Sequence, residues 1–163
     1  MKYFIGNWKM FGVPKSINIL HKINYYYSKD KNRRKYRVII TPPYTLIESY
    51  AKYFKKKKII IGSQNCYQKD QFSSNTAAIS PYMIKKVGAN YTLVGHSDNR
   101  SEGDTNEMLK NKVHFALKNN LKVVFCIGEN KKEKKNKKTF SVLKKQLSKV
   151  CLLYTSPSPR DTG

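Results

Sequence analysis

The distribution of apolar and polar positions along the chain predicts an alternating α/β fold. Short runs rich in β-branched residues, typical of strands, alternate with longer polar stretches in which apolar residues recur at helical spacing. The predicted strands cover residues 3–8, 36–41, 58–62, 91–95 and 121–127. The predicted helices cover residues 14–28, 45–54, 81–87, 105–119 and 139–149. This order is typical of a parallel sheet built from successive βα units.

Local signals mark where several of these elements begin and end. Pro14 suits the first turn of a helix, and Gly88 suits the position just after one. Thr45 and Glu48 have the spacing of a capping box, so we expect Thr45 to cap the helix of residues 45–54. A long polar loop over residues 63–80 follows the third strand, and loops of this length in compact domains are usually functional.

The character of the sequence changes after residue 150. Residues 151–163 contain no lysine and two Ser-Pro steps, and their apolar positions follow neither the strand nor the helix period. We therefore predict that residues 1–150 form the folded part of the chain. Residues 151–163 are predicted to be a non-native or disordered tail, appended where the coding region is interrupted.

The net charge raises the question of a polyanionic partner. The 163 residues include 33 Lys and Arg against 10 Asp and Glu, which gives a formal charge of +23. Such an excess attracts nucleic acids and anionic membranes. Many lysines, however, lie in short runs between apolar segments, such as residues 55–58 and 131–138, as expected of solvated connectors. We interpret the charge as a compositional bias and expect no specific nucleic-acid or membrane partner; a basic nucleic-acid-binding module is the alternative.

Hydropathy and cysteine content favour a cytoplasmic protein. No apolar run approaches the roughly 18 to 20 residues of a membrane helix, and the apolar stretch near Met1 is too short for a signal peptide. Cys66, Cys126 and Cys151 lack the spacing of metal ligands or of a disulfide framework. We expect reduced thiols and no metal site, with Cys126 a small buried apolar residue between Phe125 and Ile127.

Polar side chains follow four of the predicted strands. Asn7 and Lys9 lie at the end of the first strand, and Gln64 and Asn65 follow the third. His96, Ser97 and Asp98 follow the fourth strand, and Glu129 follows the fifth. Because the carboxyl ends of parallel strands meet at one edge of a sheet, we expect a single polar mouth. Lys9 could supply a point charge for a phosphate or carboxylate there. His96, at the start of a helix, would tend to stay neutral and donate a hydrogen bond. The alternatives are a solvated surface lysine and a structural histidine, so the residues alone indicate an anion-binding α/β domain.

The four strand-end motifs together, in this order and spacing, resemble the triosephosphate isomerase family. They read Asn7-Trp8-Lys9-Met10, Gly62-Ser63-Gln64-Asn65, Gly95-His96-Ser97-Asp98-Asn99-Arg100 and Cys126-Ile127-Gly128-Glu129. The resemblance implies a (β/α)8 TIM barrel, here truncated after the fifth βα unit. It also implies an aldose–ketose isomerase of glycolysis and gluconeogenesis that interconverts dihydroxyacetone phosphate and glyceraldehyde 3-phosphate through an enediolate. Neither a cofactor nor a metal is expected.

The resemblance also implies residue roles. Asn7 and Lys9 match the substrate-contacting pair, and His96 matches the catalytic electrophile that polarises the carbonyl. Ser97 and Asp98 match positions that directly follow the electrophile and help to hold it in place. The family usually has Glu at the position of Asp98.

In the family the long third loop enters a homodimer interface. The resemblance therefore implies that Thr76 inserts near the partner's pocket in the full-length protein. Ala78 and Asn99 stand where the family commonly has a Glu and an Arg that pair across this interface. Both charged residues of that ion pair are therefore absent here, so neither is left at the interface without its partner.

The catalytic base has no match in this sequence. A barrel of this type needs roughly 250 residues, and the family's catalytic Glu, its lid loop and its phosphate-binding turn all lie in the later units. Glu129 and Glu133 belong to the fifth loop and are not candidates for the base. We expect the 163-residue polypeptide to be an inactive, poorly soluble, non-catalytic fragment, and the full-length protein to be the isomerase.

Overall fold

The computed structural model describes residues 1–151, which form a parallel sheet of five strands. The strands are β1 (Lys2–Asn7), β2 (Tyr36–Thr41), β3 (Ile60–Ser63), β4 (Tyr91–Val94) and β5 (Lys122–Phe125). They lie side by side in chain order, and each pair of neighbours is parallel. The predicted alternation of strands and helices in a parallel α/β sheet is confirmed. The predicted tail, residues 151–163, lies outside the described residues apart from the backbone of residue 151.

Helices connect the successive strands. They are α1 (Ile17–Lys29), α2 (Tyr44–Phe54), α3 (Pro81–Lys86), α4 (Ser97–Ser101), α5 (Asn106–Lys118), α6 (Lys131–Lys135) and α7 (Thr139–Cys151). Short 3-10 turns over Pro14–Ser16 and Arg33–Lys35 precede α1 and β2. None of the helices in residues 1–151 is both long and apolar enough to span a membrane.

Helix α6 was not expected, because it lies in a lysine run that we interpreted as a connector. Its start carries a capping box: the Glu133 N–H donates to the Asn130 Oδ1 at 2.8 Å, and the Asn130 N–H donates to the Glu133 Oε2 at 2.8 Å. The Asn-x-x-Glu spacing was a usable signal, but the surrounding lysines masked it.

The predicted capping box at Thr45 is wrong. Helix α2 begins one residue earlier, at Tyr44, with the extended Pro43 before it, so Thr45 lies inside the first turn. Glu48 therefore has no cap to complete. Its carboxylate forms an ion pair with Lys52 at 2.8 Å, one turn further along the helix.

The hydrophobic core lies between the sheet and its helices. Its most deeply buried members include Leu20 of α1, Tyr50 of α2, Ile84 of α3 and Leu109 of α5. The interior strand β4 is buried along its whole length, whereas in the edge strand β1 Tyr3 and Phe4 are each more than half exposed. An exposed apolar edge strand is a liability for aggregation, which agrees with the expectation of poor solubility.

Candidate active site

The carboxyl ends of β1, β3 and β4 meet at a cleft of about 490 Å³. Its polar lining consists of Asn7, Lys9, Gln64, Asn65, His96, Asp98, Asn99 and Glu102, and Tyr44 also lines it. We call this cleft the mouth. It brings together six of the eight polar residues that the sequence placed at the strand ends, all except Ser97 and Glu129. Those two residues line an adjoining cleft of about 620 Å³, so the expectation of a single mouth is met only in part.

Lys9 has a backbone conformation that its neighbours hold in place. Its φ is 50°, in the left-handed region that is uncommon for residues other than glycine. The Lys9 N–H donates to Asn7 Oδ1 at 2.9 Å. The Gln64 amide donates to the Lys9 carbonyl at 2.8 Å and to the Thr41 carbonyl at 2.9 Å. A conformation of this kind costs about 1–3 kcal/mol and persists only when its surroundings hold it.

The Lys9 ammonium reaches across the mouth to helix α4. Its Nζ lies 3.2 Å from the Asp98 Oδ2, and each side chain is just over half exposed, at 55% and 54%. Asp98 lies in the first turn of the helix, where a carboxylate is favoured. Glu102 also lines the mouth. The mouth therefore contains one lysine and two acidic residues, of which Asp98 contacts the lysine.

His96 is the N-cap residue directly before α4, and it lines both clefts. The backbone N–H of Asp98 donates to the His96 Nδ1 at 3.2 Å. Because Nδ1 accepts this hydrogen bond, we assign the ring proton to Nε2. That nitrogen is then available as a donor, while the Asp98 Oδ2 lies 3.4 Å from Nδ1.

Arg100 ties the ends of β4 and β5 together beneath His96. Its Nε donates to the Gly95 carbonyl at 2.7 Å and its Nη2 to the Cys126 carbonyl at 3.0 Å. The guanidinium lies 5.5 Å from the centre of the Phe125 ring. Gly95 has a φ of +80°, and a Cβ there would lie 2.8 Å from the Arg100 guanidinium, so this close approach requires glycine. In the sequence Arg100 was only the last residue of a motif.

Cys126 does not behave as a nucleophile. Burial raises its pKa, so the residue is a thiol near neutral pH. The expectation that Cys126 is a buried residue is wrong, since it is only partly covered and lines the cleft next to the mouth. Its carbonyl accepts from Arg100 at the end of β5, so the polar contact uses the backbone of this residue.

A buried ion pair supports the floor of the mouth. The Lys112 Nζ lies 2.7 Å from the Asp104 Oδ2 and 3.1 Å from the Asn65 Oδ1. The exposed fractions of the Lys112 and Asp104 side chains are 4% and 9%. This network links helix α5 to the end of β3. Sequence reasoning missed it, although Lys112 lies at helical spacing from the apolar Leu109 and Ala116.

Thr76 lies away from the mouth of its own chain. It belongs to the loop between β3 and α3, is exposed, and precedes Ala77, whose φ is 64°. The Asp70 carboxylate anchors this loop to α5 by accepting from Lys118 at 2.6 Å and from Asn119 at 2.7 Å. Within residues 1–151, no group of three or more His, Cys, Asp or Glu side chains is arranged to hold a metal ion.

A doubly wound sheet reverses its strand order, whereas here five parallel strands lie side by side in chain order with polar side chains at their carboxyl ends. This arrangement is typical of the TIM-barrel class of proteins. The family model described as Triosephosphate isomerase matches residues 2–159. The chain is 34% identical over 143 residues to the triosephosphate isomerase of Wolbachia pipientis wMel, and 36% identical over 157 residues to that of Buchnera aphidicola subsp. Cinara cedri. The chain therefore belongs to the triosephosphate isomerase family.

A solved structure supports the same assignment. The crystal structure of triosephosphate isomerase from Bartonella henselae matches with a TM-score of 0.85 and 30% sequence identity, over 91% of this chain and 61% of that one. The two curated relatives are matched over 87% and 93% of this chain, but over only 55% and 60% of their own length. The chain thus spans somewhat more than half the length of the relatives it matches.

Proposed function

We propose that the complete protein interconverts dihydroxyacetone phosphate and glyceraldehyde 3-phosphate, and that this chain supplies the half of the site that stabilises charge. The observation that carries the proposal is the arrangement of His96 and Lys9 around Asp98 in one cleft. The family membership of the chain supports the same reaction.

In this reaction a proton leaves the carbon next to a carbonyl group, and negative charge accumulates on the carbonyl oxygen of the enediolate. Preorganised hydrogen-bond donors aimed at such an oxygen stabilise the transition state. The Nε2–H of His96 is one such donor. The Lys9 ammonium carries three N–H groups, so it can keep its contact with Asp98 and still bind a substrate oxygen. The Asn7 Oδ1 accepts a hydrogen bond from the Lys9 backbone N–H and so fixes the position of Lys9.

We assign the proton-abstracting base to a residue outside this chain. Asp98 is engaged by Lys9, and Glu129 lies 3.4 Å from the Thr139 hydroxyl in the loop after β5. The 163-residue polypeptide is then inactive alone. We further propose that the complete protein is a cytoplasmic homodimer without a cofactor, in which Thr76 approaches the partner's mouth.

A chimaera tests the proposal. Residues 1–150 would be joined to the remaining carboxyl-terminal part of the Bartonella henselae enzyme, and turnover would be followed in a coupled assay beside the 163-residue chain. We expect turnover from the chimaera and none above buffer from the chain. His96→Gln in the chimaera should lower kcat by about 10²–10³-fold, the usual cost of one such donor.

His114→Gln is the matched control, because His114 is an exposed histidine of α5 that lines neither cleft. The control should leave kcat unchanged. A chimaera that folds and turns over equally well with Gln at position 96 would refute the role of His96, and turnover by the 163-residue chain would refute its inactivity.

A further inference from the structure

A second groove lies at the opposite end of the sheet, and the proposed function makes no use of it. It has a volume of about 550 Å³ and lies between the carboxyl ends of α2 and α3, where β3 and β4 begin. We call it the basic groove. Its charged lining consists of Lys52, Lys55, Lys57, Lys85, Lys86 and Glu48.

The charges of the basic groove are unbalanced. Five of its lining residues are lysines, and the one carboxylate among them, on Glu48, already pairs with Lys52 at 2.8 Å. Lys85 donates to the neutral side-chain amide of Asn90, with its Nζ 3.3 Å from Oδ1. Like charges collected around one concave surface repel one another, and a bound polyanion relieves that repulsion.

The floor of the groove is apolar and already packed. Phe54, Ile59 and Ala89 are 3%, 2% and 0% exposed. The rim is partly ordered as well, because the Lys57 and Lys86 ammonium groups lie 5.5 Å and 5.2 Å from the ring centres of Tyr53 and Tyr82. A preformed concave surface with several held cations loses little conformational entropy when an anion binds.

Lysines at helix carboxyl ends also have a simpler role, since they favour the negative end of the helix dipole. That role explains one or two cations at each helix end. It does not explain why lysines from two helices, about 30 positions apart in the chain, converge on one groove whose size falls in the range of small-ligand pockets, roughly 300–1,000 Å³.

We propose that the basic groove binds a linear oligophosphate, meaning two or three linked phosphate groups. A single phosphate needs only one or two ammonium groups, whereas a triphosphate chain carries enough charge to engage all the lysines of the rim. The mouth has the opposite character, because Lys9 lies there together with Asp98 and Glu102. The oligophosphate is therefore directed to the amino end of the sheet.

A fluorescence-based binding titration of the 163-residue chain with inorganic triphosphate, adenosine triphosphate and inorganic phosphate tests the proposal, and it works in the dilute solution that a poorly soluble chain requires. We expect triphosphate to bind at least about tenfold more tightly than phosphate and to weaken steeply with added salt. Equal affinities for inorganic triphosphate and inorganic phosphate would overturn the proposal. Adenosine triphosphate matching inorganic triphosphate would identify the phosphate chain alone as the ligand. Tighter binding of adenosine triphosphate would identify a nucleotide as the ligand.

A matched pair of triple variants separates the site from the overall charge of the chain. Lys55→Gln, Lys57→Gln and Lys85→Gln together should weaken triphosphate binding by about tenfold or more. Lys132→Gln, Lys134→Gln and Lys135→Gln remove the same charge from exposed positions of α6 and should change it by less than about twofold. An equal loss of triphosphate affinity in the two triple variants would show that triphosphate responds only to the overall charge of the chain. That result would overturn the proposal.

Amide hydrogen exchange of the unmodified chain, measured by mass spectrometry in dilute solution, provides a readout that needs no variant. Exchange around Gly88 and Asn90 at the groove should slow with triphosphate, while exchange around Asp98 at the mouth should not change. The reverse pattern would overturn the proposal. A single-stranded RNA oligomer that binds far more tightly than triphosphate and displaces it would also overturn it, because the site would then belong to a macromolecule.

Discussion

The two ends of the sheet carry positive charge in different ways. At the carboxyl end, Lys9 is a single lysine whose backbone is held by Asn7 and Gln64 and whose ammonium contacts Asp98. At the amino end, five lysines surround one groove and a single carboxylate opposes them. One end fixes the position of a charge, and the other accumulates charge. The first arrangement suits a reaction at one atom, and the second suits the binding of a highly charged ligand.

The largest expected effect concerns the support of the mouth. Lys112→Met should destabilise the chain by about 3–5 kcal/mol, because it leaves the buried Asp104 carboxylate without its cation. Urea unfolding followed by circular dichroism measures the free energy. Lys55→Met, at the rim of the basic groove, is the control and should change it by less than about 1 kcal/mol. Similar losses in the two variants would mean that lysines contribute alike at both ends.

Arg100→Met should have the next largest effect. The Gly95 and Cys126 carbonyls lose the donors that join β4 to β5. We expect a loss of about 1.5–3 kcal/mol, the contribution of one hydrogen bond to a charged group, because Arg100 is only partly buried and water can replace one of its two contacts. The same unfolding experiment applies, with Arg100→Lys as a variant that keeps the charge but loses the fork geometry. Full stability in Arg100→Lys would show that charge alone matters at this position.

Stability should fall in alkaline solution because of Cys66, which lies beneath the mouth. Burial raises the pKa of its thiol to about 12 from an ordinary value of 9.0. The folded state therefore holds this proton more tightly than the unfolded state. Its contribution is fully present below about pH 9 and is lost between pH 9 and 12, at no more than about 1.4 kcal/mol per pH unit.

Unfolding measured from pH 8 to 10.5 checks this slope. Cys66→Ala should flatten the alkaline decline, although it lowers stability at every pH by opening a small space in the core. An unchanged slope in Cys66→Ala would assign the decline to other groups. Lys55→Gln, in the basic groove, should leave the slope as it is.

The smallest effect on stability, and the clearest contrast with function, is expected for the Lys9 and Asp98 pair. Both side chains are just over half exposed, so Lys9→Met should lower the free energy of unfolding by less than about 1 kcal/mol. At high salt the pair should contribute almost nothing to stability, because salt screens exposed charges. In the active chimaera the same change should lower kcat by about 10²-fold or more. A large loss of stability with kcat retained would mean that Lys9 has a structural role.

Much of the architecture followed from local patterns. The second strand was predicted at residues 36–41 and is observed at Tyr36–Thr41, since the apolar run and the two prolines after it leave little choice. Strand β3 was predicted from residue 58 but begins at Ile60, because the lysines before it belong to the turn that follows α2. Short apolar runs define strands well, whereas their ends depend on which backbone groups find partners.

The residues of the mouth were predicted because each follows a strand, and the geometry of a parallel sheet brings strand ends together. Their hydrogen-bond partners were not predicted. Nothing in the local sequence indicates that Gln64 holds the Lys9 carbonyl, or that Lys112 reaches Asn65, because these pairs are separated by 55 and 47 positions in the chain. Such contacts depend on the packing of one βα unit against the next.

The sequence by itself determined the alternation of elements, the class of fold and the set of polar residues at the strand ends, because these follow from periodicity and from motifs read within single units. Only the tertiary structure decided how the positive charge is distributed. The lysines near residues 55 and 85 belong to separate runs that we interpreted as a compositional bias. They meet in one groove because helices α2 and α3 return to the same end of the sheet, and this proximity arises only when the units pack.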